Sequence, residues 1–380
     1  MKIAVVGPSY PLRGGIAHYT SLLCNALSSR HEVKLISFNR LYPSFLFPGK
    51  TQQDTSSSPI KADAEPIIDS MNPLTWMSAA RRIGEFSPDM VIAQWWHPMF
   101  APQYATILRG RPKSSKLVFL CHNVIPHESA GPMQHLARLA LKQGDFFVVH
   151  SEEDQQNLLR LLPDADVSRS HHPTYDVFNT GSWNRDDCRR ELGLDGNVIL
   201  FFGLVRKYKG LIHLIRAMPR VLSRIDVTLL VVGEFYDRKE PYLEEIKALG
   251  LGDRVRIVDQ YVPNEEVGRY FNACDVVALP YTSATQSGII QIAFGFGKPV
   301  IATSVGGLPD VVADGKTGML TPPENPDALA DALVTYFDRG LANEFSDNIA
   351  ATVNEFSWSR MVELIEGLAQ RDRRLLAATR

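Results

Sequence analysis

Residues 197–233 read NVILFFGLVRKYKGLIHLIRAMPRVLSRIDVTLLVVG. The apolar run NVILFFG has the length of a strand, HLIRAMPRVLS repeats its apolar residues at helical spacing, and VTLLVVG returns to a strand. Strand, helix and strand in that order form a βαβ unit, and a parallel sheet follows from it. The alternation continues through LEEIKALG, VRIVDQ, EEVGRYFNAC, DVVALP and PVIATS. An equivalent series precedes it: KIAVVG, AHYTSLLCNALSS, EVKLISF, the stretch from Trp76 to Phe86, DMVIAQW, KLVFLCHN and FFVVHS. The fold class is therefore α/β, with two doubly wound, Rossmann-like domains in series.

A chain of 380 residues exceeds the size at which one hydrophobic core keeps growing, so two domains also follow from length. Between the two series, His171 to Asp186 (HHPTYDVFNTGSWNRD) is polar, rich in turn residues and aperiodic. It is expected to link the domains, with Thr174 to Gly181 as a hinge. The expected division is 1–176 and 177–356, and the helical C-terminal segment 357–380 is expected to pack back on the first domain. Lys50 to Ala64, KTQQDTSSSPIKADA, is low in apolar content and reads as a mobile surface loop.

Hydrophobic residues make up 45% of the chain and its net charge is −2, so no global positive charge marks a dedicated nucleic-acid binder. Cys24, Cys121, Cys188 and Cys274 are scattered without metal-ligand or paired spacing, which fits a reducing cytoplasm. The N-terminus, MKIAVVGPSYP, reads as a first strand rather than a secretion signal, and no run approaches membrane-spanning length. The expected location is the cytoplasm, at the inner face of the membrane if the basic segment Arg109 to Lys116 (RGRPKSSK) makes peripheral contact with lipid; the same segment also reads as a solvated loop.

Ligands of doubly wound sheets bind beyond the carboxyl ends of the strands, so the loops GPSYPLRGG, CHNVIPHE, FGLVRKYKG, GEFY and LPYTSATQSG are expected to converge on a cleft. The stretch Ser283 to Pro309, SATQSGIIQIAFGFGKPVIATSVGGLP, adds glycines, hydroxyls and amides around the strand KPVIATSV. Gly288, Gly306 and Gly307 could offer N–H groups to a phosphate or simply make tight turns. Gly14 and Gly15 precede a helix whose free amides and positive dipole end suit an anion. The DxD-like triplets Asp63 to Glu65 and Asp164 to Asp166 sit at turns, and no metal site is expected from them.

In order along the chain, GGIAHY, the HN after KLVFLC, HSEED, FGLVRKYKG and GKPVIATSVGGLPDVVADGKTGML resemble glycosyltransferase family 4 over nearly the whole chain. The resemblance implies the GT-B fold, two Rossmann-like domains whose parallel sheets face a central cleft, and sugar transfer from a nucleotide-diphosphate donor. It implies no metal and no further cofactor, since side chains and helix ends handle the diphosphate. Charge that builds on a departing diphosphate calls for cations and N–H donors. Lys209, before Gly210, matches the family's lysine at the diphosphate, and Arg206 stands two residues after the usual place of its arginine. His122 matches the family's histidine near the transferred sugar, which gives His122, Arg206 and Lys209 as the catalytic group. Donor binding is expected from Gly15, Gly203, Gln286, Ser287, Gly288 and Gln291, and acceptor binding from Arg13, His97 and His127. Trp95 and Trp96 either stack on a sugar face or fill core.

One departure from the family matters. Its members place two glutamates eight residues apart ahead of the GxPV segment, whereas TQSGIIQIA, Thr285 to Ala293, has neither. Gln291 lies one residue off the usual spacing to Gly297; a glutamine can hydrogen-bond hydroxyls but holds no formal negative charge. The expected activity is a retaining transfer to a glycan or lipid-linked acceptor in surface polysaccharide biosynthesis. The alternative is a GT-B-shaped binding or partner subunit that has lost catalysis with its glutamates. A nucleotide-sugar epimerase fits less well, because proton abstraction calls for acidic groups that these loops lack.

Overall fold

The computed structural model describes residues 1–43, 51–125 and 132–371. Met1–Thr55, Pro59–His171 and Ser357–Arg380 form one compact unit, and Ser56–Ser58 with His172–Phe356 form a second. The passage into the second unit falls between His171 and His172.

The first unit holds a seven-stranded sheet of β1 (Lys2–Val6), β2 (Glu32–Arg40), β3 (Ala64–Asp69), β4 (Met90–Trp95), β5 (Lys116–Cys121), β6 (Phe146–Val149) and β7 (Val167–Arg169), in the order β3-β2-β1-β4-β5-β6-β7. Every pairing is parallel. The crossovers carry α1 (Gly15–Ser28), α2 (Pro73–Phe86), α3 (Ala101–Ile107), α4 (Pro132–Leu141) and α5 (Glu152–Leu161). Because side chains alternate along a strand, β1 feeds two cores: Ala4 and Val6 pack on one face, Ile3 and Val5 on the other.

The second unit repeats the plan with six strands, β8 (Asn197–Phe202), β9 (Val227–Val232), β10 (Val255–Val258), β11 (Val276–Leu279), β12 (Val300–Thr303) and β13 (Gly318–Thr321), ordered β10-β9-β8-β11-β12-β13. Its pairings are parallel too. Its helices are α6 (Arg185–Leu192), α7 (Leu211–Leu222), α8 (Glu240–Ala248), α9 (Asn264–Ala273), α10 (Gly288–Gly295), α11 (Pro326–Asp338) and α12 (Ala342–Thr352). The last helix, α13 (Trp358–Gln370), belongs to the first unit, where Met361, Val362, Ile365 and Leu368 join the core against Ile3 and Val5.

Two expectations change. The supposed linker is anchored in the second unit: His172, Thr174, Tyr175 and Phe178 are buried, Thr174 N–H donates to Phe356 O at 2.8 Å and Tyr175 N–H to Gln291 O at 3.4 Å. Its polar side chains hid four residues that pack. The stretch read as a mobile loop is pinned by a bridge between Leu12 and Gln53 and by Asp54 N–H donating to Pro11 O at 2.8 Å. Both acidic triplets serve ion pairs, Glu65 with Lys34 at 2.9 Å and Asp166 with Arg371 at 2.8 Å. Among the described residues, no helix is long and apolar enough to cross a membrane.

Candidate functional site

In the second sheet the strand order reverses between β8, which continues outward through β9, and β11, which continues through β12. Doubly wound sheets bind ligands at the carboxyl side of such a switch point. The two loops that leave it, 203–210 after β8 and 280–287 after β11, are clamped together. Thr282 N–H donates to Tyr208 O at 2.8 Å, and Gly210, at φ 66°, lies so close to Pro280 that a Cβ would stand 1.8 Å from its carbonyl oxygen. Only glycine fits there.

This clamp buries Lys209. Its residue is 9% exposed, its Nζ lies 5.5 Å from the centre of the Tyr281 ring, and no carboxylate or hydrogen-bond acceptor meets that Nζ among the described residues. A side chain on Gly203, which sits at φ 99°, would meet Lys209 Nζ at 3.2 Å, so the ammonium lies against bare backbone. Burial lowers the Lys209 pKa from its ordinary value, Tyr208 raises it less, and Arg206 adds a small lowering. A buried cation without a counter-ion is a site prepared for an anion. Arg206 stands on the same loop, half-buried, with its guanidinium 5.0 Å from the Tyr236 ring. A short extension of the β8–β9 pairing holds it there, through Val205 N–H to Glu234 O at 2.9 Å and Tyr236 N–H to Val205 O at 3.0 Å.

Across the switch point, α10 begins at Ser287, whose Oγ accepts the Ile289 N–H at 3.3 Å as an N-cap. The Gly288 N–H has no acceptor among the described residues, and that end of α10 carries the positive dipole end. Of the two readings open for Gly307, the structure favours the turn, because its N–H donates to Thr285 O at 3.1 Å. Gln286 is half-buried. Gln291 is buried on α10, and its Oε1 has no hydrogen-bond partner among the described residues. It is the polar side chain nearest the missing glutamate, and its carbonyl is unspent.

In the first unit, Gly14 at φ 117° caps α1 without a side-chain bond, and the described residues leave open space over both Gly14 and Gly15. Arg13 is half-buried beside them, its N–H donating to Gln52 O at 2.9 Å. His122 follows β5, its N–H donating to Trp95 O at 2.8 Å. Its Nε2 is 2.7 Å from Gln94 Oε1, and its ring meets Tyr19 edge to face with centroids 4.6 Å apart. Tyr19 in turn meets Trp358 at 5.0 Å and His150 at 5.6 Å. The HSEED motif supports this cluster from behind: buried Asp154 accepts the Val124 N–H at 3.0 Å, two residues after His122. His97 spends its Nδ1 on the Met99 N–H at 3.1 Å, and burial lowers its pKa. Trp95 and Trp96 are core residues, Trp95 with its Nε1–H on Val124 O at 3.1 Å and Trp96 against Phe38 and Phe100. His127 lies outside the described residues.

Residues 13–172 match the profile of Glycosyltransferase Family 4, and residues 196–339 match that of Glycosyl transferases group 1, so each unit carries one match. The chain belongs to glycosyltransferase family 4. It is 31% identical over 262 residues to D-inositol 3-phosphate glycosyltransferase from Corynebacterium diphtheriae, over 64% of this chain and 61% of that protein. The protein of the same name from Corynebacterium glutamicum is 32% identical over 238 residues, 59% of this chain and 56% of its own length. The chain thus spans less than two thirds of the length of these relatives. Among solved structures, sucrose-phosphate synthase from Thermosynechococcus elongatus superposes with a TM-score of 0.74 at 20% identity over 99% of both chains. HepE from Anabaena, solved in complex with UDP, gives 0.75 at 20% identity over 98% of this chain and 100% of that chain. These likenesses show the GT-B fold.

Against this family background, four residues escaped the sequence reading. Tyr281 lies in the quoted loop LPYTSATQSG, but an aromatic residue at a strand end reads as core. Gln94 ends its strand among apolar neighbours. His18 and Asp54, 3.7 Å apart beside the α1 N-terminus, are joined only through space.

Proposed function

We propose that this protein transfers a glycosyl group from a nucleotide-diphosphate sugar to a hydroxyl acceptor. The observation that carries the reading is Lys209, a buried cation that meets no anion among the described residues, set against Gly203 at the switch point of the second sheet. The bond between the anomeric carbon and the diphosphate oxygen breaks, the acceptor oxygen bonds to that carbon, and the nucleoside diphosphate departs with the electron pair. Lys209, Arg206 and the free Gly288 N–H meet the charge that develops on the leaving group. Charge already present as fixed cations and dipoles costs no reorganisation during reaction, so these groups, rather than a divalent ion, compensate the diphosphate. Retention follows the family pattern, with the departing phosphate assisting removal of the acceptor proton on the same face.

The acceptor belongs to the first unit in this reading: Arg13 and the space that the described residues leave over Gly14 and Gly15 suit a polar or anionic acceptor, and the family pattern gives His122 a role at the transferred sugar. A glycan or lipid-linked acceptor in surface polysaccharide synthesis at the cytoplasmic face of the membrane is consistent with this arrangement. Uridine diphosphate sugars are the first donors to test, because HepE was solved with UDP. A thermal-shift screen of UDP-, GDP- and ADP-sugars, with Lys209→Met as control, tests the reading: a donor that raises the melting temperature of the wild type alone supports it. No shift with any donor, or an equal shift in the variant, refutes it. A second reading, binding without turnover, is favoured by the absence of both family glutamates; it predicts the shift without transfer in the presence of an acceptor panel.

A further inference from the structure

We propose that Tyr281 is the positioning residue of the anion cradle, one aromatic ring that sets both the Lys209 ammonium and the start of α10. The proposal rests on the reading of this cradle as the diphosphate site. Tyr281 is 2% exposed and leaves β11 through Pro280. Thr303 Oγ1 donates to the Tyr281 carbonyl at 2.5 Å and to Leu279 O at 3.4 Å, which fixes the backbone at the turn. The ring face receives Lys209 Nζ at 5.5 Å, and the phenol oxygen lies 3.3 Å from Ser287 Oγ. Burial pushes the phenol up to about 12, so it stays neutral at the ordinary working range of pH.

The choice of an aromatic partner has a physical consequence. A carboxylate beside Lys209 would hold the ammonium but cancel its charge and repel an incoming diphosphate. A ring face attracts the cation through its quadrupole and leaves the full positive charge for the ligand. The phenol then reaches Ser287, whose Oγ caps the Ile289 N–H and leaves the Gly288 N–H unengaged. Cation and helix end are thereby held by one side chain, in a geometry that exists before the ligand arrives.

Inorganic pyrophosphate binding by the full chain, followed by isothermal titration, tests the assignment. Tyr281→Leu is expected to weaken binding about tenfold, and Tyr281→Phe, which keeps the ring, about two- to threefold. In a Lys209→Met background, Tyr281→Leu should cause little further loss, because the cation it positions is gone. Tyr281→Phe and Ser287→Ala should likewise be non-additive, and this pair keeps the test valid if Tyr281→Leu does not fold. The role of Tyr281 is overturned if Lys209→Met abolishes binding while Tyr281→Leu changes it less than about twofold, or if the Tyr281→Leu loss is the same in both backgrounds. If Lys209→Met leaves pyrophosphate affinity unchanged, the diphosphate reading itself fails, and the role of Tyr281 with it.

Discussion

Replacing Lys209 with methionine should make the empty protein more stable and the liganded protein less so. The lysine is 9% exposed and finds no anion among the described residues, so its charge is carried at a desolvation cost on the order of several kcal/mol. The Tyr281 ring at 5.5 Å returns about 1–2 kcal/mol of that. Methionine keeps a similar volume and fills the same channel with little strain. The net expectation is a gain of about 1 kcal/mol or more, at least about 2–4 °C in melting temperature for a unit of this size. Pyrophosphate at about one hundred times its Kd should then stabilise the wild type by about 2.7 kcal/mol and leave the variant unmoved, so the two melting curves exchange order. The sign against pH follows from the burial that lowers the folded-state pKa of Lys209 below 10.5. In the interval below 10.5 the unfolded chain holds the proton more tightly, so wild-type stability from this group rises with pH and the advantage of the variant shrinks. Differential scanning fluorimetry of both proteins, with and without pyrophosphate, measures all of this. A variant that melts lower when empty, or that keeps the ligand shift, would refute the account of Lys209 as an uncompensated cation.

The other expectations concern single positions. Burial brings His150 down to about 4, so its stability contribution is lost as pH falls from about 6.5 to 4, in total about 3 kcal/mol. Urea unfolding at pH 7 and pH 5 should show a weaker pH dependence in His150→Gln than in the wild type, and equal dependence would count against it. Gly210→Ala should destabilise the second unit by about 2 kcal/mol or more, since its Cβ would stand 1.8 Å from Pro280 O at a φ of 66°; a loss under about 0.5 kcal/mol in denaturant titration contradicts the clamp. Gln291→Leu removes a buried carbonyl that has no partner, so the empty protein should hold its stability or gain about 1 kcal/mol while UDP affinity falls about fivefold. Unchanged affinity in calorimetry takes Gln291 out of the site. Finally, donor binding should persist in EDTA, with affinity measured before and after chelation; its loss would assign the compensating charge to a metal.

Much of the site was legible because loops at strand ends carry their chemistry in local order. The residues from Gly203 to Gly210 announced a cation between two glycines, whereas HSEED told the family only, and that its Ser151 caps a helix and its Asp154 supports the loop after His122 came from the structure. Burial was not legible. KYKG is polar by composition, and nothing in it tells that Pro280 and Tyr281 close over Lys209. The same limit explains the segment His172 to Phe178, which is polar by sequence and packed in the structure, and the fate of Gly307, whose N–H is taken by Thr285.

The order of apolar runs and helical periods determined by itself that this chain builds two parallel sheets, because alternation along a strand and period along a helix are properties of neighbours in sequence. The ordered motifs likewise determined the family. Which groups remain without partners was decided only by the tertiary structure. Whether Lys209 has a counter-ion, whether Gln94 meets His122, and whether one tyrosine serves both a cation and a helix cap depend on chain segments far apart in sequence that neighbouring strands bring together. Electrostatic cost is set by the surroundings of a charge, and those surroundings exist only after folding.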